Sequence, residues 1–123
     1  MPASQELAEF IRQHFRSVWS LELLLFLKRN SDGAWQEEQL VEALRASQSV
    51  ISTSLEILLA GGLIVREDDD LARYAPASSD LQRLLAETES LYVRKPDAVR
   101  RLIVSSPATG ISAFADSFRL RRD

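Results

Sequence analysis

Residues 47–74 read SQSVISTSLEILLAGGLIVREDDDLARY, and their order decides how the rest of the chain is read. Ser47 makes a good helix N-cap, because its hydroxyl can accept a bond from an orphan N–H of the first turn. Val50, Ile51, Leu55, Leu58 and Leu59 then recur at helical spacing and predict one apolar stripe, hence one buried face. Gly61 and Gly62 follow, and glycine reaches positive φ without a Cβ penalty, which is how helices commonly stop. Leu63, Ile64 and Val65 begin a strand at once. The acidic block Glu67 to Asp70 fits a solvated hairpin tip, since Asp is depleted in strands and favoured in turns. Leu71 to Tyr74 returns as the second strand, so the segment predicts a helix followed directly by a hairpin.

That order is the outline of a winged helix-turn-helix, in which the helix before the hairpin usually enters a DNA groove. The string Ser49-Val50-Ile51-Ser52, then Leu55, Leu58, Gly62-Leu63-Ile64 and Arg66-Glu67, resembles winged-helix transcriptional regulators of the broad MarR-like group. Their third helix and wing typically read S-x-x-V-S-x-x-L-x-x-L-x-x-x-G-L-I-x-R. The resemblance covers about half the chain. It implies a DNA-binding-type domain, with double-stranded DNA as the expected partner, and names no target. Similar strings occur in winged helices that bind proteins, and a fold alone does not fix a function.

Outward from this segment the chain reads as mostly helical. Ser4 is placed to cap a first helix with Leu7, Phe10, Ile11, His14, Phe15 and Val18 on one stripe, and Ser17 marks a break. Trp19 to Leu27 reads WSLELLLFL, apolar around nearly the whole circumference, which predicts cover on more than one side. The first helix, the C-terminal helices or a second subunit would supply it. Ala34-Trp35 is a candidate short strand pairing with the wing. Gln36 to Arg45 predicts a helix with Leu40, Val41 and Leu44 inward. Ser79-Asp80-Leu81-Gln82 reads as a capping box for a helix bearing Leu81, Leu84, Leu85, Leu91 and Tyr92. Pro96 and Pro107 each start a further helix, the last carrying Ile111, Phe114, Ala115 and Phe118. The expected fold is mainly α with a small β-hairpin wing. It forms a single domain over 1–123, with an N-terminal helix (1–17), a winged-helix core (18–76) and a C-terminal helical extension (77–123).

At 123 residues and 46% hydrophobic content, the chain can bury a core without staples. No cysteine is present, so disulfides, thiolate metal sites and thiol nucleophiles are excluded, which fits a reducing cytoplasm. The longest apolar run, Leu23 to Leu27, is far below the roughly 20 residues that span a bilayer. The first residues have no signal-peptide pattern, so a soluble cytoplasmic protein is expected, with no membrane partner.

Charge is uneven along the chain. Residues 1–60 hold five basic and eight acidic side chains, residues 61–90 three and seven, and residues 91–123 seven and three. DNA affinity comes largely from cations that displace condensed counterions, so an acidic core counts against strong DNA binding. The basic end carries Arg94, Lys95, Arg100, Arg101, Arg119, Arg121 and Arg122. It offsets the core only if folding or dimerisation brings it beside the helix that precedes the hairpin.

Ser47, Gln48, Ser49, Ser52 and Thr53 are the candidate DNA-contacting residues on that helix, able to bond phosphates or base edges, with no Arg or Lys among them. Arg66 and Arg73 flank the hairpin and are placed to grip phosphate or a minor groove. His14 is the only histidine and reads as a packed structural residue. Asp68, Asp69 and Asp70 lack the spacing of a calcium loop. No phosphate-cradling glycine motif, nucleophile elbow or HExxH motif occurs, so neither an enzyme nor a cofactor is expected. Phe114, Phe118, Arg119, Arg121 and Arg122 form a candidate partner-binding element, aromatic with a basic end. Three functions follow as expectations. The leading one is a DNA-binding transcriptional regulator, homodimeric through the added helices. The others are a winged-helix protein-interaction module and a small-ligand sensor.

Overall fold

The computed structural model describes residues 5–104. Along that span run α1 (Gln5–His14), α2 (Val18–Arg29), α3 (Glu37–Leu44), α4 (Gln48–Ala60), β1 (Ile64–Glu67), β2 (Leu71–Tyr74), α5 (Ser79–Arg94) and α6 (Pro96–Val104). The protein is mainly helical with one small antiparallel hairpin, as the periodicities require. The expected helix from Pro107 lies outside the described residues, as do Ser4, Phe114, Phe118, Arg119, Arg121 and Arg122.

The break at Ser17 has a chemical cause. Its side chain accepts the Ser20 amide, the Ser20 side chain accepts the Ser17 amide, and the Ser20 hydroxyl donates to the Ser17 carbonyl at 2.6 Å. A reciprocal cap of this kind satisfies orphan donors and fixes the start of α2. Val18 therefore opens α2 and does not continue the stripe of α1, contrary to the sequence reading.

α2 is the central element. Leu21, Leu23, Leu24, Leu25 and Leu27 are all buried, each contributing about 1.5–3 kcal/mol by removal from water. One side packs on α4 and β2. The other side is tied to α5, where Lys28 and Arg29 meet Glu89 at 2.7 and 2.9 Å and the Tyr92 hydroxyl donates to Glu22 at 2.5 Å. Burial alone would raise the Glu89 pKa, but the hydrogen bonds from Lys28 and Arg29 outweigh it and hold the carboxyl below its ordinary value. The buried leucines of α2 are thus covered within this chain, while Trp19 on the same helix stays 42% exposed.

α1 joins the added helices, packing on α5 and α6 through Leu7, Phe10 and Ile11. α5 starts one residue earlier in its capping pattern than the sequence suggests. Ser78, not Ser79, is the N-cap, accepting the Leu81 amide at 3.1 Å. Two adjacent serines offer the same hydroxyl, and the one with extended backbone takes the role.

The hairpin pairs Ile64 with Tyr74 and Arg66 with Ala72. Its tip, Asp68 to Asp70, is exposed, with Asp69 and Asp70 both at φ 63°, a left-handed conformation that Asp tolerates. The Ala34-Trp35 expectation reduces to one bridge. The Trp35 amide donates to the Ala72 carbonyl at 2.9 Å and the Ala72 amide to the Trp35 carbonyl at 2.8 Å. Trp35 also packs edge-on against Phe26, with ring centroids 5.0 Å apart. The hairpin is therefore pinned to the residue just ahead of α3.

Candidate interaction face on α4 and the hairpin

Arg45 ends α3 in the left-handed region at φ 55°, and the Ser47 hydroxyl caps α4 by accepting the Val50 amide at 3.1 Å. This tight turn swings α4 across α3, with Ile51, Ser54, Leu55 and Leu58 buried. The spacing predicts Leu59 on the same stripe. It is instead 45% exposed, and Ser54 takes the inward place. The Val50 side chain is only half-buried.

The candidate residues fall into two groups. Ser49 and Thr53 are exposed and Ser52 is half-buried, and among the described residues none of their hydroxyls carries a partner. Ser47 is exposed but its hydroxyl is committed to the cap. Gln48, Arg66 and Arg73 are committed too. Gln48 donates through Nε2 to the Glu37 carboxylate. Arg66 places Nη2 3.0 Å from Asp70 and 3.6 Å from Glu37, and its side chain is only 19% exposed. Arg73 places Nε 2.6 Å from Glu67 and donates through Nη1 to the Ser31 carbonyl at 3.4 Å. Both hairpin arginines thus spend their charge on carboxylates of their own face.

Glu37 is the residue that sequence reasoning missed. It is the third point of a link between α3, α4 and the hairpin, and its role depends on Arg66, far along the chain, being folded back beside it. A cleft of about 250 Å³ opens there, floored by Leu55 and Leu59 and rimmed by Glu37, Glu56, Arg66 and Asp70. Across residues 31–74, nine carboxylates face three arginines.

A second, wider cleft of about 420 Å³ lies between the ends of α1 and α4, lined by His14, Arg16, Glu56 and Gly61 among others. His14 donates from Nδ1 to the Phe10 carbonyl at 3.0 Å and lies over the Phe10 ring at 4.4 Å. Its ring is a packing element at the end of its own helix. Among the described residues no three His, Asp or Glu side chains converge as a metal ion would need, and no helix is long and apolar enough to cross a membrane.

No family model, no curated protein and no solved structure matches this chain.

Proposed function

We propose that the chain is a winged helix-turn-helix module whose α4-and-hairpin face takes a protein partner. The order α2, α3, tight turn, α4, hairpin, with Trp35 bridged to Ala72, supports the winged-helix reading. One observation carries the choice of partner class. The cations that would meet phosphate, Arg66 and Arg73, are already paired with Asp70, Glu37 and Glu67. Freeing them for DNA would leave those carboxylates facing a polyanion, which opposes the counterion release that drives such binding. A partner with cationic and apolar side chains meets the same face favourably.

The DNA reading stands second, on the exposed Ser49 and Thr53 at the outer start of α4, which are free to bond phosphates or base edges. One pair of experiments separates the two. A photo-cross-linking side chain at Ser52 should trap a protein in cells, whereas the same group at Glu87 on α5 should not, and the purified chain should leave random duplex DNA unshifted at low salt. A tight duplex complex whose affinity falls steeply with salt, and whose preference relaxes on Ser49→Ala with Thr53→Ala, would replace the protein reading with the DNA one.

A further inference from the structure

We infer that the cleft between α4 and the hairpin is the docking site for this chain's own C-terminal segment, Phe114 to Arg122. This rests on the protein-binding reading above and makes the face one that an external partner enters in competition with a segment of this same chain. The cleft has an apolar floor at Leu55 and Leu59, the latter 45% exposed, inside a rim where Glu37, Glu56 and Asp70 outnumber Arg66. Among the described residues, Glu56 has no ion-pair partner, and Asp70 keeps 80% of its side chain exposed while pairing with Arg66. What fits is an aromatic side chain followed closely by cations.

The segment 114–122 reads FADSFRLRR, two phenylalanines four residues apart and then three arginines. The chain's charge is divided to match, with seven basic and three acidic side chains in residues 91–123 against the nine carboxylates and three arginines of residues 31–74. Exposed ion pairs are individually weak, so the phenyl ring over Leu59 supplies affinity and the arginines supply register. The tether makes weak affinity sufficient, because a short linker holds its end at an effective concentration of about millimolar. Reach is ample. The thirteen residues between Val104 and Phe118 extend to about 43 Å, against a radius of gyration of about 13 Å for a domain of this size.

The test uses the full chain, which has no cysteine of its own. A spin label on Ser117→Cys should broaden the amide signals of Ser52, Leu55, Leu59 and Asp70 and leave those of Ala86 and Ser90 on α5 sharp. Adding Arg119→Glu, Arg121→Glu and Arg122→Glu, or raising salt, should restore the lost signals. Broadening elsewhere, or none, overturns the assignment. Broadening that also appears when spin-labelled chain without isotope is mixed with isotopic chain without the label overturns it in favour of a second copy. A chain that fails this test yet still traps a protein through Ser52 loses the self-docking inference and keeps the protein-binding reading. If neither occurs, the reading fails as well.

Discussion

His14 lies so close over the end of α4 that a β-carbon on Gly61 would stand 3.0 Å from its Cδ2. Gly61 has φ −80° and ψ −4°, a backbone that any residue adopts, so the need for glycine there comes from the imidazole alone. Gly61→Ala should destabilise the protein by about 1 kcal/mol, because the ring must leave its place on Phe10. In a His14→Ala background the same change should be neutral or stabilising, since alanine has the better helix propensity. Urea denaturation of the four-variant cycle reads the coupling, and simple additivity would show that His14 moves aside freely.

Gly62 differs from its neighbour in kind. Its φ of 77° is left-handed, and an added Cβ would also meet the Ala77 side chain at 3.4 Å. Gly62→Ala should cost about 1–2 kcal/mol in the same denaturation experiment. Gly33→Ala, with nothing within 4 Å, is the control and should lie within about 0.5 kcal/mol of the parent.

Leu24, fully buried at the centre of α2, should lose about 2–5 kcal/mol on replacement by alanine. Trp19, one turn earlier and 42% exposed, should lose far less despite its larger ring. Equal losses would mean that Trp19 is covered in solution by another molecule.

Acid should weaken the join between α2 and α5. The folded Glu89 carboxyl lies below its ordinary 4.5 because the bonds from Lys28 and Arg29 overcome its burial. A depressed folded value means that its contribution is complete above the unfolded value and is lost as pH falls through the folded one. The stability gap between the parent and Glu89→Gln should thus be widest above pH 4.5 and close below it. A gap that stays constant down to about pH 2 would show that the pair does not link α2 to α5 through charge.

Most of the framework was legible because its signals are local. The Ser47 cap, the glycine stop at Gly61-Gly62 and the Asp68 to Asp70 tip each depend on neighbours within one turn, and each appears where the residues place it. Leu59 and the Ser78 cap were misassigned for a related reason. A stripe of spacing alone does not say how far round a helix the burial extends, and two adjacent serines carry the same local signal. The candidate face was less legible. Gln48, Arg66 and Arg73 look available in a linear string, and they are committed only once α4 packs on α3, the hairpin closes on itself and Arg66 reaches Glu37.

The bridge between Trp35 and Ala72 gives the protein an optical gauge. One indole is packed edge-on to Phe26 beside that bridge, and the other, Trp19, stands 42% open to water. With Trp19 replaced by Phe, the remaining emission comes from the joint between the hairpin and the lead-in to α3. A red shift of that emission before the helical signal is lost would time the peeling of the hairpin from the rest of the fold, and whatever binds the cleft above α4 would be seen to hold it shut.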